Sequence, residues 1–197
     1  MTDQPSTPLP EPIAAWIARP RADRLLRLGQ TSTDLAAAIA SSSVGALVTP
    51  SAAERWGAVH VIGHFRDVEE LALDRFRMMY RMDDPTLPGA GTPDDPVAWG
   101  LIEDGASLWD PDRLAEDRQY GRDDPYRSAE AFRRNRLRTL AFLDRLTPEQ
   151  WMRGGIHPRS GRLTFDGWTA LLAWHDDNHL AQLERILRSG DAGAKAL

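Results

Sequence analysis

The chain has 197 residues, a formal net charge of −5 and no cysteine. A chain of this length can bury a core of its own, so no metal is needed merely to fold it, and without cysteine neither a disulfide nor a thiolate metal site can form. The acidic balance argues against a nucleic-acid surface, and the absence of a basic leader or of an apolar run long enough to span a bilayer predicts a cytoplasmic protein with no membrane partner.

The N-terminal stretch MTDQPSTPLPEP carries four prolines and predicts a disordered tail over residues 1–12, ahead of a single domain over 13–190 and a short tail over 191–197. Helical periodicity dominates the chain beyond that tail, and the fold expected is all-α: an up-down four-helix bundle with one long crossover segment. A first helix is expected from about Arg21 to Ser41, weakened by Gly29 and the Thr31-Ser32-Thr33 run. Ser51 and Glu54 have the spacing of a capping box, which predicts a helix opening there and continuing to about Met82. The crossover covers residues 83–125, with one or two short helical pieces, and such a length is expected to be functional or to fold over the mouth of the bundle.

A third long helix is predicted from Ser128 to Leu146, with Phe132, Leu137, Leu140, Ala141 and Leu143 as its apolar stripe. Its Arg133, Arg134, Arg136 and Arg138 are expected to face water: of the 24 basic residues only Lys195 is a lysine, a bias that looks like the codon usage of a GC-rich bacterium rather than a binding patch. Thr147-Pro148-Glu149-Gln150 combines an N-cap, a proline at the first helical position and a capping glutamine, so a short turn of helix begins there. A tight loop comes next, built on Gly154-Gly155 and His157-Pro158, and the last helix runs from near Thr164 to Ser189-Gly190. Trp56, Trp151, Trp168 and Trp174 fall at core or loop-packing positions, whereas Trp16, Trp99 and Trp109 are candidates for a pocket wall or a dimer surface.

Four of the five histidines form two pairs of one spacing, His60 with His64 and His175 with His179. Chance placement of five histidines would give about a tenth of such a pair. An i, i+4 pair projects both rings from one helix face, close enough to share a metal ion. In the last helix His175 and His179 share a stripe with Trp168, Leu171, Leu172, Leu183 and Ile186, while Asp176, Asp177 and Arg185 are directed elsewhere. His64 shares a face with Val61, Val68 and Leu71. Burying a polar ring without a partner costs about 1–3 kcal/mol, so three imidazoles aimed at one core call for a divalent cation. His60 is a possible fourth ligand, or orients a neighbour or a substrate. His157 is either a hydrogen-bonding loop residue or a further functional one. Asp67, three residues after His64, is a candidate general base or a carboxylate supporting a ligand, the alternative being an ion pair with one of the arginines.

The stretch from Trp56 through His64, Asp67 and Glu69, together with Leu146 to Trp151, Gly155-Ile-His-Pro, Gly161 to Thr164 and Trp174-His175-Asp-Asp-Asn-His179-Leu-Ala-Gln182, resembles the DinB/YfiT-like family of metal-dependent four-helix-bundle proteins in order and spacing over roughly residues 20–190. The resemblance implies an up-down bundle, a metal triad of His64, His175 and His179, and a homodimer. His60 departs from it, standing where the family more usually has glutamate or glutamine. Members range from thiol-dependent transferases and isomerases to proteins with no established activity.

Three neutral imidazoles leave a tetrahedral zinc ion one open position, the arrangement of catalytic sites. Zinc is the first expectation, with nickel or iron also compatible with imidazole. The expected function is a metalloenzyme acting on a small-molecule substrate, transferring a low-molecular-weight thiol as co-substrate to an electrophile. The alternatives are a metal-dependent hydrolase and a non-catalytic stress-response bundle with a structural metal.

Overall fold

The structure, a computed structural model, describes residues 11–50, 54–87, 111–157 and 161–194. Ser51, Trp99, Trp109, the first ten residues and most of the crossover lie outside these, and with them the expectations placed there. Eight helices and one hairpin are present among the described residues: α1 Glu11–Ile17, α2 Arg21–Ala40, α3 Val44–Val48, α4 Ala58–Arg81, α5 Pro111–Asp117, a 3-10 turn Tyr120–Arg122, α6 Pro125–Leu143, α7 Pro148–Trp151, strands β1 Gly154–His157 and β2 Gly161–Thr164, and α8 Phe165–Ala194. No helix among them is long and apolar enough to cross a membrane.

The long helices α2, α4, α6 and α8 form the bundle, and side-chain pairs give their directions. Arg21 meets Asp166, Arg24 meets Thr169 and Thr31 meets Asp176, a constant offset that makes α2 and α8 parallel. Phe65 packs on Phe132 and Glu69 pairs with Arg136, so α4 and α6 are parallel as well. Trp56 with His179, His64 with His175 and Phe76 with Phe165 run the opposite way along α4 and α8, which are therefore antiparallel. The crossover between α4 and α6 is what returns the chain to run α6 in the sense of α4. Two apolar clusters fill the bundle, one around Leu28, Phe76, Phe165 and Trp168, the other around Leu35, Phe65, Phe132 and Leu183.

Local chemistry accounts for most helix ends. Asp124 caps α6 by accepting from the amides of Tyr126 and Arg127 ahead of Pro125 at the first helical position, and Thr147 and Gln150 cap each other across α7. α2 spans almost the residues expected of it, and Thr164 accepts weakly from Gly167 at the start of α8.

Several expectations are corrected. α4 begins at Ala58 behind an extended Gly57 rather than near Ser51, and Glu54, ahead of it, meets Gln182 and Arg185 of α8. The loop after Gly154 is a β-hairpin: β1 pairs with β2, and Pro85 and Leu87 bond to Ile156 along its other side. α1 starts at Glu11, within the stretch expected as tail, since Ile13 and Trp16 are buried against the first cluster; Trp16 is thus a core residue and no pocket wall. α8 continues past Gly190 to Ala194. On α6 the apolar stripe is displaced: Leu137 and Ala141 are exposed, while Arg136, expected in water, is 2% exposed and lies in the row Ser128, Phe132, Arg136, Thr139, Leu143. Asp176, expected to point elsewhere, is 1% exposed.

Candidate metal centre

His64 projects from the first third of α4, and His175 and His179 project from one face of α8. The antiparallel packing of these helices brings one nitrogen of each ring within 4.8 Å of the others. Nε2 of His64 lies 3.0 Å from Nε2 of His175. Two nitrogens bound to one zinc at about 2.0–2.1 Å in tetrahedral geometry stand roughly 3.3 Å apart, so the donor set fits a small divalent cation. Nδ1 of His64 and Nδ1 of His175 are buried with no hydrogen-bond partner among the described residues. Nδ1 of His175 stands 3.7 Å from the Asp176 carboxylate, on the side of the ring away from His64.

His179 is oriented differently. Its Nδ1–H donates to Oε1 of Gln182 at 2.8 Å, and Nε2 of Gln182 donates to Glu54 at 3.3 Å. Glu54 is in turn held by Arg185 at 3.1 Å. This chain of contacts leaves the lone pair of Nε2 to face the other two rings, the usual way in which a carboxylate or amide fixes the tautomer of a metal-binding histidine. Burial, and then the proximity of His175 and His179, hold the His64 imidazole well below its usual range. Burial followed by His175 brings His179 down to about 4 despite the opposing pull of Gln182. Both rings are consequently neutral near pH 7, the form that donates a lone pair.

Aromatic walls enclose the triad. The Trp56 ring stands edge-on to His64 with centroids 5.0 Å apart and stacks at 6.4 Å on His179, and Phe65 closes a second side at 6.1 Å from both His175 and His179. Beyond Trp56 a cavity of about 340 Å³ opens, lined by Arg55, Trp56, His60, Asp112, Gly121 and Arg122 among others.

His60 lines this cavity and lies outside the group of three converging nitrogens. His157 stands in β1 with its ring edge-on to Trp168 at 5.5 Å, seven residues before His175 on α8. Asp67 is buried and its carboxylate accepts from Tyr120 at 2.7 Å, Arg66 at 2.7 Å and Arg118 at 3.2 Å. These are the partners of the ion-pair alternative. Burial and then Asp67 push the Tyr120 hydroxyl far above its usual range, so it stays a hydrogen-bond donor.

None of Glu54, Glu69, Arg136 and Asp176 is expected from the sequence as a site residue, yet Asp176 stands 3.7 Å from His175, Glu54 reaches His179 through Gln182, and Arg136 joins Asp176 to Glu69. The signal for Arg136 was present: it falls four residues after Phe132 and three before Thr139, on the buried row rather than beside it. Burial pushes the Glu69 carboxyl up, with Arg136 pulling partly back, whereas for Asp176 burial is overridden by Arg136 and the carboxyl lies far below its ordinary range.

Among solved structures the chain is similar to YfiT from Bacillus subtilis, described as a probable metal-dependent hydrolase with an unusual four-helix bundle topology. The TM-score is 0.67 at 20% sequence identity, over 94% of this chain and 91% of that one. A likeness at this identity is one of fold. No curated protein matches the chain. The sequence pattern of the DinB superfamily matches residues 27–183, well over half of the chain, and the protein belongs to that superfamily.

Proposed function

We propose that the protein is a divalent-metal-dependent enzyme in which His64, His175 and His179 hold one ion and a small-molecule substrate enters through the cavity beyond Trp56. The observation that carries this reading is the convergence of three ring nitrogens within 4.8 Å, with Nε2 of His64 and Nε2 of His175 only 3.0 Å apart. When bound, zinc or a similar ion on three imidazoles supplies a Lewis acid with a position free to lower the pKa of a water or a thiol.

The chain's own groups do the rest. Gln182 and Glu54 orient His179, Trp56 and Phe65 keep bulk water from the rings, and Asp67 holds Tyr120 and so the 3-10 turn whose Gly121 and Arg122 line the cavity. His60, at the cavity wall, orients the substrate. The cavity wall carries both signs of charge, Arg55 and Arg122 beside Asp112 and Glu116, with Arg55 paired to Asp112 at 2.6 Å, and so suits a polar substrate rather than one of a particular net charge.

Transfer of a low-molecular-weight thiol to an electrophile is the first reading. With no cysteine in the chain, a thiol nucleophile has to come from a small molecule. Hydrolysis is the second, favoured by the description of YfiT. We further infer that the active form is a cytoplasmic homodimer and that zinc is the resident ion, ahead of nickel or iron.

Elemental mass spectrometry on untagged wild type beside His175→Ala tests the metal reading. About one ion per chain in the wild type, lost in a variant that keeps its helical circular dichroism, is the expected result. A wild type that stays empty after incubation with zinc, nickel and iron overturns it. The loaded protein is then given an alkylating electrophile or an amide substrate with and without a small thiol. Consumption of thiol in step with product supports transfer, and product without thiol supports hydrolysis.

A further inference from the structure

Between the two apolar clusters of the bundle lies a single charged layer. Arg136 of α6 donates from Nε to Glu69 of α4 at 2.8 Å, from one terminal nitrogen to the carbonyl of Leu28 on α2 at 2.8 Å and to Asp176 of α8 at 2.6 Å, and from the other to Asp176 at 3.3 Å. Thr31 of α2 adds its hydroxyl to the same Asp176 carboxylate at 2.6 Å. One guanidinium thus joins all four long helices, and Arg136, Glu69 and Asp176 are each at most 2% exposed.

Stability is a poor explanation for this arrangement. Removing charged groups from water costs several kcal/mol each, and apolar side chains of similar volume hold bundles together at least as well. What a guanidinium fork supplies is geometry, since its donors point in fixed directions and are all satisfied in only one relative rotation and height of the helices. That constraint falls beside the metal triad. Asp176 directly follows His175 and lies three residues before His179, and Glu69 lies five residues after His64, about 7.5 Å along α4. Successive helical residues are about 100° apart, so Asp176 reaches α2 and α6 while His175 turns toward α4. A rotation of α8 that released Asp176 would swing both of its ligands away from His64.

We propose that Arg136 is a positioning residue for the metal centre: through Glu69 and Asp176 it sets the rotation and height of α4 and α8 at which His64, His175 and His179 converge. The proposal rests on the reading of the triad as a metal site, and the experiment separates the two.

Arg136→Lys keeps a cation but replaces the planar five-donor fork with a compact ammonium that lacks its span and fixed directions, and Thr31→Val removes one hydroxyl from the layer with little change of shape. Each is compared with wild type by cobalt(II) titration, read from the visible absorption of the bound ion and from competition with a chromophoric chelator. Histidine-ring nitrogen NMR spectra of the metal-free proteins are recorded alongside. For Arg136→Lys the expected result is an affinity lowered by about tenfold or more, an altered cobalt spectrum and shifted His175 and His179 ring signals, with helical content retained. Thr31→Val is expected to act in the same direction to a smaller extent. Should Arg136→Lys fail to fold, Thr31→Val carries the test alone. Wild-type affinity, cobalt spectrum and ring signals in folded variants overturn the proposal. A wild type that binds no cobalt overturns the metal reading instead, and the ring signals of the metal-free proteins still decide whether Arg136 positions the histidines.

Discussion

Gln182 accepts the Nδ1 proton of His179 at 2.8 Å and passes the contact to Glu54 at 3.3 Å, so a residue outside α4 determines which nitrogen of a ring on α8 faces the triad. Replacing Gln182 by leucine removes the acceptor and leaves the ring free to adopt either tautomer. Metal affinity is expected to fall by about 10–100-fold with little loss of stability, as chelator competition and thermal unfolding of the metal-free protein would show. Unchanged affinity would mean that packing by Trp56 alone orients His179.

Acid should weaken the metal-free fold in a defined window. His64 and His179 have folded-state pKa values below the ordinary 6.5, His179 at about 4. Between these values the unfolded chain binds protons that the folded chain does not, so stability is complete above about pH 6.5 and declines as the pH falls toward 4. The slope is up to about 1.4 kcal/mol per pH unit for each titrating ring. Urea unfolding of the metal-free protein at a series of pH values measures it, and His179→Gln should flatten the curve.

Asp67 offers a contrast between structure and chemistry. Its carboxylate is 1% exposed and receives Tyr120, Arg66 and Arg118. Asp67→Asn is expected to cost about 2–3 kcal/mol in denaturant unfolding, because buried charge-assisted bonds lose one partner. Metal content should be unchanged, and KM should rise as the wall formed by the 3-10 turn loosens. A variant of full stability and intact KM whose turnover collapses would place Asp67 in proton transfer instead.

Gly154 is a steric requirement of the hairpin. A Cβ there would stand 2.7 Å from the backbone oxygen of Leu163, which is fixed by strand pairing and cannot give way as a side chain can. Gly154→Ala should destabilise the protein by about 2–3 kcal/mol. The metal affinity of the folded fraction should be retained, since the hairpin meets α8 at its start and the triad lies further along. Denaturant melts paired with metal titration check both halves of the expectation.

Much of the architecture could be read without coordinates because it rests on local rules. The capping box at Thr147 and Gln150 and the span of α2 depend on residues a few positions apart, and the chain carries those relations explicitly. Contacts between residues distant in the chain leave no such local mark. Glu54 meets Gln182 and Arg185 on another helix, and α4 starts at Ala58, several residues after the spacing of Ser51 and Glu54 predicts. The hairpin is a case in point, since two strands of four residues gain most of their support from each other and from Pro85 and Leu87.

The pair of i, i+4 histidine spacings and the helices that carry them are legible in the chain alone, since a 3.6-residue period places both rings of a pair on one face whatever the surroundings. Which rings converge is not legible there. His60 and His64 are equivalent in spacing, and only the antiparallel packing of α4 on α8 brings His64 against His175 and leaves His60 at the cavity wall. Nor is the burial of Arg136 and Asp176 legible there. A charged side chain is assigned to water until an oppositely charged partner makes its burial tolerable, and here that partner lies 40 residues away along the chain.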